Sequence, residues 1–313
     1  IHKNLGEDYL GVVCKQFPRY SEYYGTIKES GIGLACEEAA RIILSENRPF
    51  SMETAACDEE YEPSSEYDSS FALQIFAARE AVFKILAKES LSIHEKLIVI
   101  LDMGSKIQQC INTDEYDNIK SVVNDYLKEG IAHTLDETRN LSDSGQFEDI
   151  SLQQGIRQIL YPYEEMEVLN PEWEVILKDI IDSLFEQMSD EEYNILNEEF
   201  GTYMVSRAYE YRQLLEYLVF RYFAKSIYDY DFLGKCQMLV TNFFVIRQMD
   251  IIRWLDNHRE YSFKDRMDVV HIFSRQVEYS EDNIENLYED FIFDDIFKND
   301  SLIAILWIDS ENI

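Results

Sequence analysis

The chain has 313 residues, which is enough to bury the core of one large domain or two. Its 28 lysine and arginine residues face 61 aspartate and glutamate residues, so the formal net charge is -33. That charge repels phosphate backbones and excludes nucleic acid as an expected partner. It favours a cation or a lysine-rich protein surface, although an acidic surface that only keeps the chain in solution explains the same charge.

Apolar runs and cysteine content indicate the expected cellular location of the protein. No run of about 18 or more apolar residues occurs, so we expect no membrane span. Residues 1–4 contain neither a methionine nor an apolar signal core, which suggests that the sequence begins inside a longer protein. The five cysteines are odd in number and widely spaced, which favours a reduced, cytoplasmic setting over a disulfide framework.

The N-terminal segment differs from the rest because it is richer in turn residues. A turn near Gly25 allows a small hairpin within the first 35 residues, and we expect no other sheet. Cys14 and Cys36 lie in this segment without a closely spaced cysteine pair, whereas zinc and iron–sulfur sites usually have about four ligands. On spacing alone, two buried apolar thiols are the alternative to a metal site.

The next segment has the composition of a linker. Residues 49–70 contain two prolines, five serines and the acidic run 58–60. We therefore predict three parts, namely an N-terminal segment at 1–48, an acidic linker at 49–70 and a helical domain at 71–313. A second, shorter loop is predicted at 140–149.

The rest of the chain reads as helix. No proline interrupts residues 64–161 or follows Pro171, and apolar side chains recur at helical spacing over 211–223 and 284–292. Two Ser-x-x-Glu sequences, beginning at Ser92 and Ser189, match capping boxes. Gly104 is expected to end or bend its helix. The fold class predicted is all-α, a multi-helix bundle or stacked helices, with helices at 36–46, 69–89, 92–112, 114–139, 150–160, 172–188, 190–225, 231–256, 263–279, 281–297 and 300–308.

Several segments together resemble one protein family. They are 5–10 (LGEDYL), 14–19 (CKQFPR), 36–41 (CEEAAR), the helix at 87–107, 216–218 (EYL) and 273–283 (FSRQVEYSEDN). With these segments the chain resembles the flagellin lysine-N-methylase family, within the wider group of cysteine-cluster proteins that bind zinc or an iron–sulfur cluster. The resemblance implies that residues 1–48 are the remnant of an N-terminal cysteine-cluster domain, whose close-spaced cysteines precede Ile1.

The same resemblance implies an activity and a set of site residues. The activity is methyl transfer to lysine ε-amino groups of flagellin or another lysine-rich protein, with S-adenosylmethionine as the donor. Cys14 and Cys36 match two family cysteines and become the predicted ligands of an iron–sulfur cluster or zinc, with their sulfurs facing a shared space. Cys57, Cys110 and Cys236 match none and are read as structural thiols.

Four further positions follow from the chemistry of methyl transfer. Arg19 and Arg41 lie close behind the two cysteines and are the predicted cofactor-binding residues, because guanidinium groups pair with carboxylates; an internal salt bridge is the alternative. Glu278 and Tyr279 are candidates for orienting a substrate amine, with packing on a helix face as their alternative. No glycine-rich loop follows a strand, so no Rossmann-type methyltransferase site is visible.

These observations leave two functions of different classes. The first is a lysine methylase that acts on a basic protein. The second is a non-catalytic, acidic helical adaptor that binds a basic partner, with the cysteine segment as a structural metal clip.

Overall fold

The computed structural model describes residues 17–56 and 68–311, and it confirms the all-α prediction. The structure is 75% helical. The small N-terminal hairpin is also confirmed: β1 (Arg19–Tyr24) pairs antiparallel with β2 (Ile27–Ile32), from Arg19 opposite Ile32 to Tyr24 opposite Ile27. Gly25 has a φ of 61° in the connecting turn, a conformation that glycine adopts without steric cost.

The α-helices follow in chain order. They are α1 (Glu37–Leu44), α2 (Ser69–Leu86), α3 (Ile93–Asn112), α4 (Ile119–Asp125), α5 (Ile131–Asp143), α6 (Leu152–Glu164), α7 (Pro171–Ile180), α8 (Asp190–Met204), α9 (Ala208–Tyr222), α10 (Ser226–Asp229), α11 (Phe232–Asp256), α12 (Phe263–Phe273), α13 (Glu281–Phe293) and α14 (Asn299–Glu311). Single π-helical turns follow α4, α7 and α12, at Tyr126–Gly130, Ile181–Glu186 and Ser274–Glu278. No described helix is long and apolar enough to cross a membrane.

Local sequence sets the helix starts. Both predicted capping boxes form. The side chains of Ser92 and Ser189 accept hydrogen bonds from the backbone amides of Glu95 and Glu192, and each glutamate side chain accepts one from the backbone amide of its serine. Asp68 caps α2 in a similar way by accepting from the amides of Ser70 and Phe71.

The predicted helix at 190–225 is wrong in one respect. Val205–Arg207 forms a 3₁₀ turn that separates α8 from α9. At this turn Arg207 donates hydrogen bonds to the Tyr261 carbonyl and to the Glu210 carboxylate. The Tyr203 hydroxyl accepts a hydrogen bond from the Tyr261 amide at 2.9 Å. The two contacts with Tyr261 join residues more than 50 positions apart, so apolar spacing could not reveal the break.

The core is organised around α11. Nearly every residue from Phe232 to Ile252 is buried, as expected for a helix that is covered on all sides. Helix α3 packs against both α11 and α14, and α9 packs between α11 and α2. Helix α11 therefore packs against helices from several parts of the chain.

Gly104 has a different role from the one predicted. Helix α3 continues unbroken through it to Asn112, and a Cβ at this position would lie 2.5 Å from the Cys236 Sγ of α11. Glycine is required here because the two helices approach closely, and the prediction that the helix ends at Gly104 is wrong.

We expect Gly104→Ala to lower the free energy of unfolding by about 1–3 kcal/mol, because the added methyl overlaps the Cys236 sulfur. Urea unfolding would measure it. The control is a double-mutant cycle with Cys236→Ala, which removes that sulfur. The double variant should lose less stability than the sum of the two single losses. Additive losses would show that the contact is not the cause.

The N-terminal segment packs directly on the helical body. Arg79 of α2 is buried and forms a bidentate ion pair with Glu29 of β2. Phe50 stacks on Phe83 of α2 with ring centroids 4.2 Å apart. Helix α1 contacts both α9 and α12. The predicted domain limits stay predictions, and residues 57–67 of the predicted linker lie outside the described residues.

Candidate functional site

A buried carboxylate lies where the hairpin segment meets the helical body. Glu278, in the π turn after α12, accepts hydrogen bonds from the Tyr217 hydroxyl at 2.8 Å and the Tyr222 hydroxyl at 3.0 Å. Its Oε2 also lies 3.0 Å from Arg221 Nε. Burial raises the pKa of both tyrosines well above the usual value, so both hydroxyls remain protonated donors.

The arginine of this cluster is fixed by aromatic rings. The Arg221 guanidinium lies 4.3 Å from the ring centroid of Tyr20 in β1 and 5.5 Å from that of Tyr222. The second carboxylate oxygen of Glu278, Oε1, is buried and has no hydrogen-bond partner among the described residues. Glu278 is thus held by three side chains of α9, and β1 covers its arginine partner.

A pocket of about 270 Å³ lies beside this cluster. One wall comes from α9, another from the hairpin, and the third from the end of α1 and the segment after it. The residues that line it are Tyr20, Gly31, Ile32, Ile43, Arg48, Pro49, Phe50, Ser51, Gln213, Glu216, Tyr217 and Phe220. Tyr217 belongs to both the pocket and the Glu278 cluster, and its hydroxyl lies 3.4 Å from the Leu34 amide nitrogen.

The pocket has one hydrogen-bond acceptor without a partner. Gln213 is 4% exposed, and its Nε2 donates to the Glu46 carbonyl, which directs Oε1 elsewhere. This Oε1 is buried and has no partner among the described residues. A buried acceptor left unpaired costs free energy unless a ligand or water satisfies it. Gln213 therefore brings an unpaired buried acceptor to the wall of the pocket.

The charge beside this acceptor is Glu216. Burial raises the pKa of its carboxyl, while Arg212, 2.7 Å away, opposes that shift. Lys96 of α3 lies close enough to influence Glu216, and burial lowers the pKa of Lys96, with Arg212 adding to the effect. Because Glu216 already has a cationic partner, Gln213 Oε1 is the free acceptor of the pocket.

The geometry separates the two candidates for amine orientation. Glu278 lies beneath the pocket without lining it, and the Tyr279 side chain is 46% exposed. Glu278 therefore fixes Tyr217, which lines the pocket, and does not itself face an incoming group. Sequence reasoning missed Gln213 and Glu216. The available signal was their spacing with Tyr217 and Phe220 at i, i+3, i+4 and i+7, which puts all four on one face of α9.

The cysteine predictions are only partly within the described chain. Cys36 is a partly exposed, free thiol at the start of α1, within electrostatic range of Tyr279. Cys14 and Cys57 lie outside the described residues. No group of three or more histidine, cysteine, aspartate or glutamate side chains in 17–56 and 68–311 is arranged to hold a metal ion. The described residues alone do not make a cluster site, so the ligand roles of Cys14 and Cys36 stay predictions.

The two remaining described cysteines and the two predicted cofactor-binding arginines do not line the pocket. Cys110 and Cys236 are buried free thiols whose pKa is raised by burial. Arg41 is exposed and forms a bidentate pair with Glu38 at 2.6 and 2.8 Å. Arg19 is exposed at the start of β1. Neither arginine lines the pocket, and their cofactor roles stay predictions.

Two other buried clusters of charged side chains join helices through ion pairs. In the first, Arg266 of α12 donates to Asp250 at 2.6 Å and to Glu210 at 3.0 Å. In the second, Asp309 of α14 lies 2.6 Å from His94 Nε2. Burial acts to raise the Asp309 pKa, but Arg247 and His94 outweigh it and hold that pKa at about 2. None of these carboxylates lines the pocket beside Glu278, and both clusters read as structural.

Comparison with known proteins identifies the family. Residues 79–306, more than half of the chain, match the family model described as FliB lysine N-methylase C-terminal domain. The chain belongs to this family. No curated protein and no solved structure matches it. The flagellin lysine N-methylase resemblance seen in the sequence is thereby confirmed.

The family match divides the pocket into two parts. Gln213, Glu216 and Tyr217 of the pocket, and Glu278 beside it, lie within the matched lysine N-methylase domain, whereas the hairpin and the segment after α1 precede it. The pocket thus forms where the segment bearing Cys36 covers the family domain.

Proposed function

We propose that the chain is part of a lysine N-methylase that transfers a methyl group to lysine ε-amino groups of flagellin. The match of residues 79–306 to the lysine N-methylase C-terminal domain carries this proposal. The pocket supports it, because an aromatic wall and an unpaired buried acceptor suit an amine on an apolar stem.

The chain's own residues contribute binding and orientation. A lysine ammonium must lose a proton and its water before nitrogen can attack a methyl group. Gln213 Oε1 holds one N–H, and the rings of Phe50 and Phe220 exclude water from the stem. Glu216, whose carboxyl pKa is raised by burial, is the proton acceptor beside the amine. The methyl donor implied by the family resemblance is S-adenosylmethionine.

Charge supports a basic protein substrate. The formal net charge of -33 attracts a lysine-bearing surface, and salt screens that attraction over about 10 Å at 0.1 M. The adaptor remains the second candidate, because the same acidic surface and pocket hold a basic partner without any transfer step.

The test compares two forms of the protein. The described chain and a longer form with the upstream cysteine-rich segment implied by the resemblance are each incubated with unmodified flagellin and S-adenosylmethionine. Purification without oxygen protects thiolate ligands. We expect mass increments of one CH₂ on flagellin lysines from the longer form and none from the chain alone. Absence of increments from the longer, metal-loaded form on any basic substrate would favour the adaptor.

A further inference from the structure

We infer that the C-terminal end of α13 presents a docking surface for a lysine-rich, amphipathic segment of a protein partner. This surface, which we call the α13 surface, consists of Glu289, Asp290, Ile292, Phe293 and Asp294. The inference goes beyond the proposed function, because neither methyl transfer nor the pocket requires a second binding surface. Three observations lead to it: a pair of exposed apolar side chains, carboxylates without ion pairs beside them, and the position of both on α13.

The first observation is the apolar pair. Ile292 is 73% exposed and Phe293 is 78% exposed, the two highest values for large apolar side chains among the residues that the structure describes. They are consecutive in the last turn of α13, whose buried side is formed by Leu287 and Phe291. Single exposed apolar residues are common on protein surfaces, whereas adjacent ones make a contiguous patch of the kind that marks interaction sites.

The second observation is the negative charge beside this pair. Glu289 lies three and four residues before the two apolar residues, so all three share one face of the helix. Asp290 lies within electrostatic range of Glu289, of Asp294 and of Glu165, which follows α6. Burial raises the pKa of the Asp290 carboxyl, and the charges of these three neighbours raise it further. The apolar pair is therefore flanked by carboxylates that repel one another.

Lysine and arginine side chains do not offset this repulsion. Arg157 of α6 pairs with Glu164, and Lys298 pairs with Asp295. Within residues 17–56 and 68–311, none of the four carboxylates around and including Asp290 forms an ion pair with a lysine or an arginine. A lysine ammonium from a partner, placed among these carboxylates, relieves their mutual repulsion.

Charge and apolarity together define the partner. A polypeptide that carries lysines beside apolar side chains complements both features of the α13 surface. A second copy of this chain is disfavoured, because its net charge of -33 would bring like charges together at the contact. An anionic lipid surface is repelled for the same reason.

The third observation is position. Helix α13 has 13 residues and is therefore about 20 Å long. Glu278, beside the pocket, lies just before the start of this helix, whereas the α13 surface lies at its other end. A segment docked on the α13 surface therefore leaves the pocket free.

Peptide binding to apolar variants tests the inference. The probe is a short amphipathic helical peptide of leucine and lysine, and its affinity for the chain is measured by calorimetry at fixed ionic strength. We expect a double variant, Ile292→Ser with Phe293→Ser, to bind this peptide about tenfold or more weakly. Leu73→Ser is the matched control, because Leu73 of α2 is 68% exposed and lies outside the α13 surface, and it should leave the affinity unchanged. Since all these side chains are exposed, the variants keep the fold, which circular dichroism checks.

Charge variants supply the second arm. Glu289→Gln with Asp294→Asn should weaken binding of the same peptide by about tenfold or more, because two carboxylates beside the apolar pair are lost. The matched control, Glu174→Gln with Asp179→Asn, removes the same charge from exposed positions of α7 and should change the affinity by less than about twofold.

The outcomes decide between a local surface and its alternatives. Equal affinity of the unmodified chain and the Ile292→Ser, Phe293→Ser variant would overturn the inference, because the peptide would then bind to the acidic surface at large. Loss of binding in the longer form of the protein would also overturn it, since the upstream segment would then cover the α13 surface. Dimerisation that the apolar variant abolishes would identify a second copy as the occupant. None of these results depends on methyl transfer.

Discussion

Replacing Glu278 with alanine should lower the free energy of unfolding by roughly 3–5 kcal/mol. The substitution leaves the Arg221 guanidinium without its carboxylate and the Tyr217 and Tyr222 hydroxyls without their acceptor. Removing one partner of a buried ion pair costs more than the pair contributes, because the remaining charge stays buried. Urea unfolding followed by circular dichroism measures the loss.

Two further variants make the Glu278 prediction specific. Glu285→Ala removes a carboxylate from the exposed face of α13 and should change stability by less than about 0.5 kcal/mol. Glu278→Gln keeps an acceptor for the tyrosine hydroxyls and should cost less than alanine. Equal stability of the Glu278→Ala and Glu285→Ala variants would show that the cluster does not hold the hairpin segment to α9.

The second large loss in free energy of unfolding is expected when Arg266 is replaced. Arg266→Ala leaves Asp250 and Glu210 buried without their shared cation, and we expect a loss of roughly 3–5 kcal/mol at neutral pH. Arg139→Ala is the matched control, because Arg139 forms only an exposed pair with Asp136 and should cost less than about 1 kcal/mol.

The pH dependence of the Arg266 variant gives an independent check. Burial already raises the pKa of Asp250, and Arg266 opposes that rise, so its removal raises this pKa further. When the pKa of a carboxyl is higher in the folded than in the unfolded state, the free energy of unfolding falls as the pH rises above the pKa of the unfolded state. The difference in free energy of unfolding between the unmodified protein and the variant should therefore shrink as the pH falls toward about 4, the ordinary pKa range of carboxyl groups. A deficit that is independent of pH would mean that lost packing, not unpaired charge, is the cause.

Local features of this protein could be predicted from its sequence. The hairpin turn at Gly25 and the capping boxes at Ser92 and Ser189 depend on residues that lie close together in the chain. The break at Val205–Arg207 depends on Tyr261 between α11 and α12, and the close approach at Gly104 depends on Cys236 of α11; apolar spacing encodes neither partner. Sequence patterns therefore gave the fold class and most helix starts but not these two tertiary contacts.

The site was predictable to a smaller extent. Tyr217 and Glu278 each lie in a segment that resembles the family, yet their hydrogen bond joins residues 61 positions apart. Gln213 belongs to no motif, and its importance comes from a buried oxygen without a partner, a property of packing alone. Cys36 was predicted as a ligand from resemblance, and its structural surroundings are a helix start beside Tyr279.

Methyl transfer by pocket variants tests the account most directly. The longer form of the protein is prepared with Gln213→Leu or with Gln158→Leu, the latter at an exposed glutamine that does not line the pocket. CH₂ increments on flagellin lysines are followed over time by mass spectrometry. The account predicts that Gln213→Leu lowers kcat/KM by about tenfold or more, since one hydrogen bond to the substrate amine is lost, while Gln158→Leu retains the unmodified rate. Equal rates for the two variants, or no increments from the unmodified protein, would contradict it.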